Sequence, residues 1–193
     1  MVRTCRRGIP TYGCAVTVSI REAHPDDAED IAKVHVATWQ SAYRDMVPAE
    51  FLVALSANLE RRTEWWRVQI GSAQPPRHTF VAVDDEEMVG FADIGPSRDP
   101  DADPLEVGEL NAIYILPSAW GRGVGQALMA RSFAHLVAAG FSLATLWVLE
   151  ENARARRFYE AAGWRVDGSA RVEPIGGVSV REVRYRIELA GQS

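Results

Sequence analysis

Between Gly108 and Arg131 the chain passes from an apolar strand, through a crowd of glycines, straight into a helix, and few architectures accept that order. The apolar run 110–116 is stopped by Pro117, whose missing N–H cannot serve a strand ladder. Gly121, Gly123 and Gly125 then occupy alternate positions, and an amphipathic helical pattern begins at once. Glycines at a helix start leave several backbone N–H groups bare, and the helix dipole makes that place favour an anion. Arg122 adds a full positive charge within the loop. The segment therefore predicts a cradle for a pyrophosphate.

Two common nucleotide cradles do not fit. A P-loop needs Lys-Ser/Thr after its last glycine, whereas Gly125 is followed by Gln126 and Ala127. A dinucleotide fingerprint needs glycine or alanine at 126 or 128, and these are Gln126 and Leu128. It also needs an acidic residue about 20 positions on, and 141–149 contains none.

A second segment lies downstream. The run 143–149 is nearly all apolar, as a strand buried on both faces should be. Asn152 suits a helix N-cap and Gly163 a helix stop. Between them Ala155, Phe158, Tyr159 and Ala162 recur at helical spacing on one apolar face.

The two segments carry a resemblance. Trp120-Gly121-Arg122-Gly123-Val124-Gly125 resembles the acyl-coenzyme A loop of the GNAT superfamily of N-acetyltransferases, Gln/Arg-x-x-Gly-x-Gly/Ala, with Trp120 replacing the usual first residue. The segment from Asn152 to Trp164 resembles the family's Asn-x-x-Ala-x-x-Phe-Tyr-x-x-x-Gly-Phe, with Trp164 in place of the final Phe. In element order the resemblance extends from Val18 to about Leu189. It implies an α/β (α+β) fold, with a central mixed, mostly antiparallel sheet of six to seven strands and helices on both faces.

The pattern read along the chain agrees. Strands are expected at 17–21, 79–83, 88–94, 109–116, 143–149, 164–172 and 178–189. Helices are expected at 25–42, 49–55, 59–70, 124–139 and 153–162. The acidic run 84–87 reads as a hairpin turn. Met129, Phe133, Leu136 and Val137 are expected to share the buried face of the fourth helix. Residues 18–190 are expected to form one domain, a length that suits one core. Residues 1–17 are read as a flexible tail, or an extension from an upstream start codon. That tail has Arg6-Arg7 but no apolar core and no cleavage pattern, so it does not read as a targeting signal.

Composition narrows the function. No run approaches the ~18–20 apolar residues of a membrane span. Cys5 and Cys14 are the two cysteines, and the four histidines are scattered. A reducing cytoplasm and no metal site are the expectation. The net charge is −5, and leaving out Arg3, Arg6 and Arg7 takes it to −8. Between Asp84 and Glu109 ten acidic residues face one basic residue, Arg98. This argues against nucleic acid as a partner. It suits either a cationic acceptor drawn to an acidic rim or a solubilising loop.

The resemblance implies acetyl-CoA as cosubstrate and a primary amine, in a small molecule or a peptide, as acceptor. It assigns the pyrophosphate to Gly121, Arg122, Gly123, Val124, Gly125 and Gln126. It assigns the pantetheine arm to the main chain of Ile113, Tyr114 and Ile115, beside a strand bulge, with a backbone N–H near Ile115 facing the thioester oxygen. Asn152 matches a residue near the pantetheine, or is simply the N-cap. Tyr159 matches the tyrosine that gives a proton to the departing thiolate, or is a core tyrosine. Glu109 matches a carboxylate that removes a proton directly or through water, or is a solvated strand-start residue. Arg154, Arg156 and Arg157 are solvated helix charges, or one meets the 3′-phosphate of coenzyme A. Trp39 and Tyr43, four apart on the first helix, wall the acceptor pocket or pack plainly. A homodimer is one option the family raises. A non-catalytic acyl-CoA-binding module is the alternative to an enzyme.

Overall fold

The computed structural model describes residues 18–189, so the reading of 1–17 as a tail lies outside the described residues. The first strand, β1, is Ser19–Glu22. Pro25 opens a short 3-10 turn, Pro25–Asp27, and the chain then enters α1, Ala28–Ala42. Asp27 closes a capping box on the 3-10 turn by accepting from the His24 amide at 2.7 Å, and it pairs with the Arg21 guanidinium at 2.7 Å. Two more helices follow, α2 (Ala49–Ala57) and α3 (Leu59–Gly71). A hairpin of β2 (His78–Asp84) and β3 (Glu87–Pro96) precedes β4 (Val107–Ile115). Then come α4 (Val124–Ala138), β5 (Leu143–Leu149), α5 (Ala153–Ala161), β6 (Arg165–Ile175) and β7 (Val178–Glu188).

The strands form one seven-stranded sheet in the order β1-β2-β3-β4-β5-β7-β6. All neighbours are antiparallel except β4 and β5. That parallel pair requires a crossover, which α4 provides. The acidic hairpin turn falls where expected. It is a two-residue loop, with Asp85 at φ 46° and Glu86 at φ 72°, as a tight hairpin demands.

Helices cover both faces. On one, α4 and α5 bury Val124, Leu128, Met129, Leu136 and Tyr159 against Ile94, Leu110, Leu146 and Tyr185. On the other, Ile31 and Val34 of α1 and Trp66 of α3 pack on Val81 and Phe91. A third cluster joins Leu52 and Phe51 of α2 to Ile175 and Val180 at the β6–β7 tip. One expectation fails here. Val137 is 49% exposed, because the buried stripe of α4 runs through Leu128, Met129, Ser132 and Leu136. Val137, one residue past Leu136, is turned about 100° away from it.

Register places the remaining polar residues. Glu109 pairs with Thr145, Leu149 with Glu182, and Glu182 with Arg171. Side chains alternate across a strand. These residues and Trp147 therefore stand on the face opposite Leu110, Ala144, Leu146 and Val148, which face α4 and α5.

Candidate active site between the splayed strands

The sheet opens at β4. Asp93 pairs with Ala112 but Ile94 pairs with Leu110, so Asn111 is an extra residue with no partner on β3. On the other side β4 pairs with β5 only from Val107 to Glu109. A bulge bends its strand away from the ladder. The two strands part, and a cavity of about 590 Å³ lies between them. Its walls come from β4, the glycine loop, the end of β5, the start of α5 and the end of α1. Ile113, Tyr114, Ile115, Gly121, Gly123, Val124, Gly125, Gln126, Asn152, Tyr159, Glu109, Trp39 and Tyr43 all line it.

The glycines do different work. Gly121 and Gly123 have φ of 74° and 83°, in the left-handed region. A Cβ on Gly121 would meet nothing within 4 Å, and one on Gly123 would meet only Gln126 Oε1 at 4.0 Å. Open space over bare amides is what a pyrophosphate needs. Gly123 is also the N-cap of α4 and gives no side-chain cap, so among the described residues no side chain satisfies the first-turn N–H groups. Gly125 is different: its Cβ would stand 3.1 Å from the Phe158 ring, so it lets α4 approach α5.

The Arg122 guanidinium donates to Asp84 at 2.7 Å, at the end of β2. Trp120, the departure from the family pattern, has a local reason. Its indole N–H donates to the Ile115 carbonyl at 2.8 Å, tying the loop to β4, and Arg154 lies 3.4 Å over its ring. Thr38 reaches the same carbonyl at 3.4 Å. The Ile115 carbonyl is thus already engaged within the protein.

On α5 the Tyr159 side chain is 8% exposed and opens to the cavity. Its hydroxyl has no hydrogen-bond partner among the described residues. Burial pushes this phenol up, so it stays protonated. Asn152 is the N-cap of α5, its Oδ1 accepting from the Ala155 amide at 3.1 Å. Arg156 is structural: it donates to the Tyr185 hydroxyl at 3.0 Å and the Glu150 carbonyl at 3.1 Å. Arg154 and Arg157 line the cavity.

Glu109 is not a solvated strand-start residue, since it is 3% exposed. Arg98 grips both its oxygens. The Arg98 amide and Nε donate to Oε2 at 2.9 and 3.1 Å, and Nη2 donates to Oε1 at 2.6 Å. Part of the acidic stretch around it is paired with arginine. Arg184 pairs with Asp99 at 3.1 Å and with Asp101 and Asp167 at 2.7 Å, and these bonds hold its pKa up. The Trp147 indole N–H adds a bond to Asp99 at 2.9 Å. Sequence reasoning missed Arg98, Glu182 and Arg171 as cavity residues. Glu182 accepts from Arg171 at 2.7 Å, and Arg171 lies 4.2 Å over Trp147. The lone arginine amid ten acids was the available signal for Arg98.

At the α1 end Trp39 and Tyr43 meet edge to face at 4.7 Å. Burial pushes the Tyr43 phenol well up. His35 stacks on Tyr114 at 4.9 Å, and burial together with nearby Arg62 pushes it down to about 3. Tyr114 therefore turns its ring to the α1 side. Among the described residues no group of three or more His, Cys, Asp or Glu could hold a metal ion. No helix among them is long and apolar enough to cross a membrane.

Residues 38–164 match the acetyltransferase (GNAT) family. The uncharacterized N-acetyltransferase YuaI of Bacillus subtilis is 35% identical over 167 residues, covering 86% of this chain and 90% of that protein. Among solved structures, the PaiA N-acetyltransferase of Thermoplasma acidophilum in complex with coenzyme A superposes with a TM-score of 0.70. It is 17% identical and covers 89% of this chain and 99% of that one. YncA of Salmonella typhimurium, solved with its cofactor acetyl-CoA, gives a TM-score of 0.67 at 17% identity, covering 92% and 96%.

Proposed function

The chain belongs to the acetyltransferase (GNAT) family, and from that premise we propose that it moves an acetyl group from acetyl-CoA to a primary amine by direct attack in a ternary complex. One observation carries the reading. A single cavity joins the bare-amide cradle of Gly121 and Gly123, the bulged strand β4 and the Tyr159 hydroxyl, which has no partner among the described residues. The cradle fits a pyrophosphate, because its glycines leave room where a Cβ would stand. Bound acetyl-CoA supplies an acetyl group activated as a thioester. The amides at the start of α4 hold the pyrophosphate. The splayed edge of β4 offers main-chain groups to an extended arm, in the manner of an added strand.

Tyr159 holds its proton at the phenolic oxygen and gives it to the departing sulfur. An alkyl ammonium has a pKa near 10, so the acceptor needs help in losing a proton at neutral pH. Glu109 gives that help through water, since Arg98 already holds both its oxygens. The aromatic wall of Trp39 and Tyr43 borders the acceptor and excludes solvent. The same grip of Arg98 on Glu109 favours a second reading, a protein that binds acyl-CoA without acetylating anything. Incubation with acetyl-CoA and a panel of amines, with free thiol measured, separates the two. Amine-dependent thiol release supports transfer. Tight acetyl-CoA binding with no amine-dependent thiol supports the second reading.

A further inference from the structure

Two carboxylates line the cavity, Glu109 and Glu182, and they differ in what is left to bind with. Arg98 occupies both oxygens of Glu109 through three donors. Glu182 Oε2 accepts from Arg171 Nε at 2.7 Å, whereas its Oε1 has no donor among the described residues. The side chain is 15% exposed, and the open oxygen is not sealed within the protein. Glu173 Oε1 stands 3.4 Å from the same Arg171 nitrogen, so one guanidinium faces two carboxylates and negative charge is in excess here.

Strand register shows where the open oxygen stands. Glu109 pairs with Thr145, and four residues further along β5 Leu149 pairs with Glu182. At about 3.3 Å per residue, Glu182 lies about 13 Å along the sheet from Glu109, level with Ile113 in the splayed part of β4. It lies two strands over from β4, about 10 Å across the sheet. It stands on the face opposite α4 and α5, away from the cradle at the start of α4. On its own side Trp39 and Tyr43 pack beside Ile175 and Val180 at the β6–β7 tip. Burial, with Tyr114, Tyr159 and Glu182 nearby, pushes the Tyr43 phenol up. Glu182 therefore looks onto the aromatic wall that borders the acceptor, not onto the cofactor's phosphates.

Resting on the proposed acetyl transfer, we propose that the acceptor is a small diamine: its reacting nitrogen lies at the splayed edge of β4, and its second, charged nitrogen docks on Glu182 Oε1. An ammonium only donates and a carboxylate only accepts, so the two form a charge-assisted hydrogen bond. Aromatic rings such as those of Trp39 and Tyr43 suit the same cation. The docked charge stays on the nitrogen that does not react, so docking does not oppose loss of a proton from the other. Arg171 tempers the Glu182 charge and holds its second oxygen.

The test uses the full chain with 1,4-diaminobutane and 1,6-diaminohexane, each beside the monoamine of equal length, and with 4-aminobutyrate as the anionic counterpart. After allowance for its two equivalent ends, the better diamine should exceed its monoamine in kcat/KM by roughly 10-fold, the scale of one hydrogen bond to a charged group. Glu182→Gln keeps an oxygen for Arg171 and removes the charge. It should raise the KM of the diamine roughly 10-fold, while the monoamine KM and the acetyl-CoA Kd stay within about 2-fold. If Glu182→Gln does not fold, Arg171→Gln is read instead: it unmasks the carboxylate and should lower the diamine KM while the monoamine KM holds. Diamine and monoamine handled alike by the wild type, or equal rises in both KM values in Glu182→Gln, would overturn the inference and leave acetyl transfer standing. A preference for 4-aminobutyrate would do the same and assign Arg171 to a carboxylate on the acceptor. A wild-type chain that acetylates none of these, nor an amino-acid amide, nor a peptide with a free α-amine, overturns the proposed function and this inference with it.

Discussion

Replacing Tyr159 by Phe separates chemistry from packing more cleanly than any other single change here. The ring belongs to the core, touching Phe158 and Trp164 at centroid distances of 5.5 and 6.3 Å. Phe keeps those contacts. The hydroxyl has no partner among the described residues, so its removal breaks no protein hydrogen bond and strands no buried group. Stability should change by less than about 0.5 kcal/mol, and the melting temperature by less than about 2 °C for a chain of this size. Under the proposed function, catalysis loses its proton donor. General acid catalysis contributes about 10²-fold or more, so kcat should fall by about 10- to 1000-fold, which is roughly 1.4–4 kcal/mol of barrier. The acetyl-CoA Kd should hold. Steady-state rates, calorimetry and a thermal melt on the same preparation read all three. An undiminished kcat would return Tyr159 to a packing role and leave water as the acid. A melting temperature lowered by many degrees would show that the hydroxyl serves the fold.

The other expectations are quickly stated. Gly123→Asp puts a carboxylate against the bare amides and a side chain at φ 83°, so calorimetry should show acetyl-CoA binding abolished while circular dichroism shows the fold retained. Gly125→Ala should instead cost about 1–3 kcal/mol of stability through the 3.1 Å approach to Phe158, seen in a denaturant titration. Glu109→Gln should move the basic-going limb of the pH–rate profile to higher pH, because the amine must then reach its neutral form unaided; a limb that does not move would show that Glu109 is no base. His35 is held neutral in the fold, at about 3, and takes a proton near 6.5 when unfolded. Its contribution to stability is whole above about 6.5 and is lost as pH falls toward 3, by up to about 1.4 kcal/mol per unit; His35→Phe should flatten that slope.

How much of this was legible depended on how local each signal was. The strand 143–149 and the helix starting after Asn152 were read to the residue or nearly so, because an uninterrupted apolar run and an N-cap are self-contained signals. The glycines crowded before α4 were legible for the same reason, whereas their left-handed conformation was not. The bulge at Asn111 was expected only through resemblance, since an extra residue in a strand has no composition of its own. The Arg98 grip on Glu109 and the Arg122 turn to Asp84 depend on which loop meets which strand end. Such pairings span 11 and 38 residues, and no periodicity encodes them. The acidic rim shows the cost of counting charges without partners. Asp84 and Glu109 each meet an arginine, and Asp99 and Asp101 share Arg184, so the tally of ten acids overstates the free negative charge of the rim.

The most direct measurement follows the acetyl group itself. Wild-type protein is incubated with acetyl-CoA carrying carbon-13 in the acetyl carbonyl, together with an amine that elicits thiol release. The label should appear in an amide bond to that amine's nitrogen, in amounts equal to the thiol set free. Label recovered as free acetate, or left wholly on the thioester while acetyl-CoA binds tightly, would contradict acetyl transfer to an amine.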